Sequence, residues 1–347
     1  MRVLVGLSGG VDSSVAAALL LEEGHDVVGA TMKLWGGAGD SGCCSVGDVE
    51  DARRVAARLG IDHHVFNFTE EFEEKVVVAY VEAHALGRTP NPCIECNRHL
   101  KFRRFLDRAV RLGFEAVATG HYARIAKASD GSPRLFRGRD AAKDQSYVLS
   151  MLTTGDLSRV LLPVGELTKQ EVRARAAAIG LPTAAKPDSQ EVCFVAAGAG
   201  PGPRRRFLGE RIELHPGRLV DRASGAVVGR VPAVELITVG QRRGLGFAAG
   251  ERRFAIEVDA GSATVTVGTQ DDLLTDHVEL RDRTWVADPL AAGTVVLAQA
   301  SAHGRPRPVR LTETGVSFLE GPDRRVAPGQ TIALYDRDEV VGSAIAA

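Results

Sequence analysis

The sequence predicts an α/β protein: a doubly wound, mainly parallel sheet, then a small β-rich domain, then a C-terminal β-barrel. Three observations predict it. Short apolar runs alternate with helical patterns through the first half of the chain, as β-α units around a parallel sheet require. A Gly/Pro-rich stretch, AAGAGPGPRRR, interrupts the chain after Phe194. Beyond it come short β-type runs separated by turn residues, the pattern of small β modules and barrels. At roughly 100–200 residues per domain, 347 residues make two or three domains. The predicted spans are 1–197, 205–270 and 271–347.

The elements follow in order. VLVGL (Val3–Leu7) reads as a buried strand. Val11 to Glu23 is an apolar, alanine-rich helix with Gly24 as its stop, and DVVGATM (Asp26–Met32) is the second strand. In DVEDARRVAARLG, Ala52, Val55, Ala56 and Leu59 recur at helical spacing and Gly60 takes the C-cap position. HHVFNF (His63–Phe68) is the third strand. A helix, the TPNP loop and the basic helix RHLKFRRFLDRAVR (Arg98–Arg111) lead to the strand EAVATG (Glu115–Gly120). Thr168 caps the helix TKQEVRARAAAIG, and Glu171 completes a capping box. ELITVGQ, RFAIEVDA, ATVTVG, GTVVLAQA, TIALYD and EVVGSAIA are the expected downstream strands. Trp35 and Trp285 are expected in cores.

Composition narrows the class. At 44% hydrophobic and 25% charged, the chain is ordinary globular protein, long enough to bury several cores without disulfides. Its five cysteines, Cys43, Cys44, Cys93, Cys96 and Cys193, are too few and of the wrong parity for a secreted scaffold. The start MRVLVGLSGG has no signal-peptide pattern, and no apolar run approaches the roughly 20 residues of a membrane span. A cytoplasmic protein with reduced thiols and no membrane partner is expected. The net charge of −1 gives no global attraction to nucleic acid. Basic residues do cluster, at Arg98–Arg111, around Arg205, at Arg242–Arg243 and across His303–Arg310. Each cluster alone reads as a solvated face; together they could form a phosphate-binding surface if the fold brings them to one side.

Two stretches carry chemistry. In LVGLSGGVDSSVAAALL a buried strand ends at Leu7, Ser8-Gly9-Gly10 turns, and a helix begins near Asp12. Glycines let backbone approach a ligand, and unsatisfied N–H groups at a helix start favour an anion. Ser8, Ser13 and Ser14 add hydroxyls, and Asp12 could hold magnesium. The stretch is neither a Walker A loop nor a dinucleotide fingerprint. The bland reading is a glycine turn with a serine cap. The second stretch, TPNPCIECN (Thr89–Asn97), sets Cys93 and Cys96 at C-x-x-C spacing behind a rigid Pro-Asn-Pro. Zinc, a redox pair, an iron–sulfur corner and a single catalytic thiol all suit that spacing.

SGGVDSS directly after the first strand resembles the PP-loop of the N-type ATP pyrophosphatases, which cleave ATP to AMP and pyrophosphate and adenylate an acceptor. The resemblance sharpens with GCCSVGDVEDARRVAARLGI, GRTPNPCIECNRHLKF, ATGHYAR, KDQSYVLSML, LTKQEVR, KPDSQEVCFV, TVGQRRGLG and APGQTIALY. Taken together, end to end, these look like the tRNA 2-thiouridylase family. That likeness implies an ATP- and Mg2+-dependent sulfurtransferase with a Rossmann-like PP-loop domain. It would adenylate and then thiolate the wobble uridine in the anticodon stem-loop of glutamate, glutamine and lysine tRNAs. A cysteine desulfurase or sulfur-relay carrier would be the donor, and the chain would act as a monomer.

The likeness also implies roles. Gly6, Leu7, Ser8, Gly9, Gly10, Val11, Asp12, Ser13, Met32 and Gly120 would hold ATP. Cys96 is similar to the family's nucleophile and Cys193 to its persulfide carrier, which would finish a turnover as a disulfide. Asn91, Pro92, Cys93, His121, Lys143, Asp144, Gln145 and Gln330 would meet tRNA. From sequence alone, His121 reads as a satisfied buried histidine, Lys143–Gln145 as a turn, Gln330 as a turn residue, and Asp188 with Ser189 as turn caps or supports of the Cys193 loop. Where this chain has Cys93, the better-known form of the family has Asp. Cys93, Cys96 and Cys193 could therefore ligate an iron–sulfur cluster or adventitious zinc; the persulfide route is preferred. Cys43 and Cys44 are read as small residues packed near the nucleotide. The rival readings are another PP-loop ligase acting on a metabolite and a non-catalytic tRNA-binding protein.

Overall fold

A computed structural model of the chain describes residues 1–36, 45–188, 192–195, 202–246 and 252–347. Cys43, Cys44 and Ser189 lie outside the described residues. The N-terminal part contributes seven strands: β1 (Arg2–Gly6), β2 (Asp26–Lys33), β3 (His63–Asn67), β4 (Ala116–Ala118), β5 (Ala123–Lys127), β6 (Pro133–Arg137) and β7 (Val160–Leu161). Five of them form a parallel sheet in the order β3-β2-β1-β4-β7. The chain runs outward from β1 to β3 and then crosses back to β4. The sheet therefore has a topological switch point between β1 and β4, where ligands of such sheets bind beyond the strand C-termini.

Strand alternation explains the two-sided core. Val3, Val5 and Leu7 point into one cluster with Ala17, Leu20, Ala52 and Ala56, while Leu4 points into a second with Phe72, Ile94, Leu100 and Phe105. The first cluster is closed by α1 (Val11–Glu22) and α2 (Val46–Leu59). As the spacing predicts, α2 ends on Gly60 in the left-handed conformation. On the other face, Pro92–Cys96, Asn97–Arg104 and Phe105–Arg111 follow one another without a break, and the middle section is wound as π-helix. Such π segments cluster at functional sites.

The later elements depart from the sequence reading in three places. ELITVGQ is not a strand: Val234–Leu236 is a 3₁₀ turn. Its polar residue faces inward, because Glu235 is buried and accepts from the His215 backbone and ring. Residues 202–206, expected as linker, open a short helix, Gly202–Gly209, seated by buried Phe207 and Leu208. The hairpin β5-β6 was unforeseen; β6 pairs with Glu339–Ala346 through Leu135 and Phe136.

That pairing joins the N-terminal part to the far end of the chain. Residues 277–346 supply six strands that close on themselves, because His277–Trp285 pairs with both Gly315–Phe318 and Glu339–Ala346. The junction is polar at its centre. Arg137 donates to Asp144 at 2.9 Å and to Gln299 at 2.9 Å, and its guanidinium lies 3.7 Å from the centre of the Tyr335 ring. Tyr147 donates to the Thr331 carbonyl at 2.9 Å. Between these parts, Gly217–Asp221, Val227–Val231, Phe254–Asp259 and Thr264–Gly268 form a separate four-stranded sheet.

The Asp144 side chain is 9% exposed, so removing the cation from this junction leaves a largely shielded carboxylate with neutral donors only, which generally costs more than the pair contributes. Arg137→Ala is expected to destabilise the protein by about 3 kcal/mol, with Asp144→Asn milder. Urea titrations of the three proteins check this, and equal midpoints would refute it.

Candidate active site

The phosphate-loop residues gather at the switch point. Gly9 has φ +71°, and a Cβ there would lie 2.4 Å from the Asp48 carbonyl oxygen, so no side chain fits. A Cβ on Gly120 would lie 2.5 Å from the Ser13 nitrogen, which brings the end of β4 against the start of α1. Gly6 lies alongside the Met32 side chain. Gly10 gives α1 no side-chain cap, so its first N–H groups remain available to an anion. Ser8 N–H donates to Ser13 Oγ at 3.2 Å, and the two hydroxyls are 3.2 Å apart. Leu7 and Val11 are buried in the cores; only their backbones can face the crevice.

Asp12 is the loop's carboxylate. It accepts from Lys169 Nζ at 2.7 and 2.8 Å and from the Tyr122 hydroxyl at 2.6 Å. Lys169 also reaches Asp188 Oδ1 at 2.8 Å. Lys143 reaches Asp188 Oδ2 at 2.8 Å, and Arg173 reaches Oδ1 at 3.2 Å. Burial alone would raise the Asp188 carboxyl, but hydrogen bonds from Lys143 and Lys169 outweigh it and draw it down to about 2. The arrangement links the nucleotide loop to the segment that leads into Cys193. In the sequence Lys169 shows itself only as the opening of a capped helix, which it is; nothing in LTKQEVR names its carboxylate partners.

The cysteine helix is set by Asn91, whose Oδ1 caps it by accepting from Cys93 N–H at 3.1 Å. Pro92 is the first helical residue and is buried. Upstream, Thr89 N–H donates to the Pro328 carbonyl at 2.8 Å, and Thr89 Oγ1 donates to Thr238 Oγ1 at 3.3 Å. All three parts of the chain thus meet at the entrance to the C-x-x-C segment. Gln330 lies in this turn, where its backbone bonds Ala327 and Ala346. Asn97, next to Cys96, is buried and donates to the Val148 carbonyl, while its Oδ1 has no hydrogen-bond partner.

Cys93 is exposed, Cys96 is buried and Cys193 is intermediate, all three as thiols. Cys96 belongs to the main core cluster, and Cys193 packs against that same cluster. The neighbour of Cys193 anchors it: buried Phe194 lies among Trp35, Phe72, Tyr80 and Phe207 at ring distances of 5.2–6.1 Å. Trp35 therefore serves the site through packing. No group of three or more His, Cys, Asp or Glu side chains among the described residues is arranged to hold a metal, so the three thiols do not form a ligand set in this structure.

The remaining candidates divide. Burial, with Lys101 nearby, pushes the His121 imidazole down to about 3, so the ring is neutral; Thr119 Oγ1 lies 2.8 Å from its Nδ1. Asp144 organises a turn, accepting from Arg137, Gly138 N–H and Ser146. Gln145 accepts from Tyr122 N–H at 2.9 Å. Of this trio Lys143 is nearest the site by its bond to Asp188. The exposed pair Arg242 and Arg243 follows Thr238, the residue that touches the cysteine loop. Arg98 stays near Glu95, 3.9 Å away. No helix among the described residues is long and apolar enough to cross a membrane.

The sequence matches the family descriptions tRNA methyl transferase HUP domain over residues 1–197, tRNA methyl transferase PRC-barrel domain over 205–269, and Aminomethyltransferase beta-barrel domain over 275–346. It is 46% identical to the tRNA-specific 2-thiouridylase MnmA of Chloroflexus aurantiacus, over 98% of this chain and 97% of that protein. The chain belongs to the MnmA family. The family's proteins from Beutenbergia cavernae and Carboxydothermus hydrogenoformans are 45% and 43% identical, covering 100% and 98% of this chain and 95% and 96% of theirs.

The Asp188 network has a measurable pH signature. Its carboxyl lies below the ordinary aspartate value of 3.8, at about 2, so the stabilisation is present above the unfolded pKa and is lost as pH falls through the folded one. Asp188 and Lys169 are 26% and 13% exposed, little enough that screening does not erase the effect. Asp188→Asn is expected to cost about 2 kcal/mol at pH 7 and about half that at pH 3. Urea unfolding at both values tests it; a pH-independent difference would refute the ionic origin.

Proposed function

We propose that this chain is an ATP-dependent tRNA-uridine 2-sulfurtransferase acting on the wobble uridine of glutamate, glutamine and lysine tRNAs. The observation that carries the reading is the pairing, in a member of the MnmA family, of an uncapped glycine loop at the switch point with two thiols, Cys96 and Cys193, that share one core. ATP lies with its phosphates on the Gly9–Ser13 backbone and the Ser8 and Ser13 hydroxyls, and its adenosine beside Met32 and Gly120. Magnesium accompanies the phosphates; Asp12 is the carboxylate that would hold it, shared with Lys169.

The uridine C2 oxygen attacks the α-phosphorus of ATP and pyrophosphate departs. C2 is then an electrophile with AMP as its leaving group. The terminal sulfur of a persulfide on Cys193 attacks C2, and AMP is expelled. The Cys96 thiolate attacks Cys193 Sγ; the Cys193–sulfur bond breaks, its electron pair stays on the sulfur now bound to C2, and 2-thiouridine is released. The enzyme is left with a Cys96–Cys193 disulfide. Both thiols act as thiolates, which basic neighbours favour; Arg98 and Lys101 follow Cys96 on the same helical run. A wobble uridine is already single-stranded, so its extrusion costs less than opening a duplex. Asn91, Pro92, Lys143 and Gln330 would meet the RNA, and the exposed Arg242–Arg243 pair would suit its phosphates. The sulfur comes from a cysteine desulfurase or a relay carrier, and the chain acts in the cytoplasm as a monomer.

Incubation with unmodified glutamate-tRNA transcript, ATP, magnesium, a cysteine desulfurase and cysteine tests the reading. 2-Thiouridine is expected by mass spectrometry of the digested RNA with wild type. Cys96→Ala and Cys193→Ala are each expected to lower its formation by about a thousandfold or more. Pyrophosphate release that depends on a small metabolite and survives Cys96→Ala would instead favour a metabolite ligase.

A further inference from the structure

The sulfur-transfer reading leaves Cys93 unused. Cys93 and Cys96 stand three residues apart in Pro92–Cys96, at the head of helical turns that continue to Arg111. Helical residues at this spacing have Cα atoms about 5 Å apart, within the roughly 4.4–6.8 Å across which a disulfide forms. The environments of the two thiols differ sharply: Cys93 is exposed and Cys96 is buried. Cys193 borders the core that contains Cys96. Cys96 thus has a helical neighbour open to solvent and a second thiol at the edge of its own core. A Cys96–Cys193 disulfide would be shielded on its Cys96 side, and exchange requires an accessible sulfur.

We propose that Cys93 is the resolving thiol that clears this disulfide. The inference rests on the sulfur-transfer roles given above to Cys96 and Cys193. The Cys93 thiolate attacks Cys96 Sγ. The Cys93–Cys96 bond forms, the Cys96–Cys193 bond breaks, and Cys193 leaves as a thiolate ready to take up persulfide sulfur. The oxidised state is moved and no electrons are gained or lost. An external dithiol reductant then attacks the exposed Cys93 Sγ, and Cys96 leaves as a thiolate. The second thiol of the reductant closes on the first and releases Cys93. Two electrons and two protons pass from the dithiol to the Cys93–Cys96 pair. Asn91 and Pro92 contribute by fixing the first helical turn, the Asn91 side chain accepting from Cys93 N–H.

The full-length protein, loaded with persulfide, is given tRNA transcript and ATP without reductant. The reaction is quenched in acid, the thiols are alkylated and the disulfides are mapped by mass spectrometry. Wild type is expected to finish with a Cys93–Cys96 disulfide and an alkylated Cys193. Cys93→Ser is expected to finish with Cys96–Cys193. With a thioredoxin-type dithiol protein as reductant, repeated turnover by Cys93→Ser is expected to fall roughly tenfold or more, and dithiothreitol, small enough to reach the buried sulfur, is expected to restore it. A wild-type end point at Cys96–Cys193, with Cys93→Ser turning over equally fast on the dithiol protein, would overturn the proposal. So would iron that co-purifies with wild type and is lost from Cys93→Ser, which would assign Cys93 to a metal. Absence of 2-thiouridine and of both disulfides in wild type would overturn the sulfur-transfer reading itself, and this proposal with it.

Discussion

Lys169 stands between two carboxylates, and the site is organised around that fact. Its ammonium touches Asp12 in the nucleotide loop and Asp188 in the approach to Cys193. A single cation held by two anions ties together segments more than 170 residues apart in sequence. The ties continue outward, since Asp188 also holds Lys143 and Arg173 and Asp12 also holds Tyr122. Lys186 makes a parallel link, bonding Asp48 and Asp51 at 2.7 and 2.6 Å; Asp48 is the residue whose carbonyl packs on Gly9. The glycine loop is therefore gripped from both sides by the stretch that precedes Cys193. Charged pairs of this kind contribute modestly to net stability. Their value lies in geometry, because each fixes where a loop must lie for the neighbouring charge to be satisfied.

A second constraint acts on the other thiol. The segment entering the C-x-x-C helix bonds the far barrel through Pro328 and the central part through Thr238. The barrel is in turn held to the parallel-sheet part by strand pairing at Leu135–Phe136 and by the Arg137–Asp144–Gln299 bonds stacked on Tyr335. The three parts are thereby held in a set relation to one another around the C-x-x-C segment. These contacts are where that relation is set. They also give KDQSY a structural meaning: Asp144, Ser146 and Tyr147 knit the junction, while Lys143 turns toward the site.

The alternation of strands and helices up to Gly120, the glycine turn, the caps at Thr168 and Gly60 and the thiols were legible in the sequence alone, because each depends on residues within one or two turns of one another. Periodicity of 2 and 3.6 and the chemistry of caps are local properties, and the chain shows them wherever it is read. Tertiary structure alone decided which distant groups meet. That Lys169 serves Asp12, that Phe194 seats the Cys193 loop in an aromatic cluster, that the hairpin Ala123–Arg137 completes a sheet begun by the C-terminal strands, and that Cys93 is exposed while Cys96 is buried all depend on packing. Side-chain type says what a residue can bond; only the close packing of a folded interior says which partner, 20 or 150 positions away, lies within 3 Å.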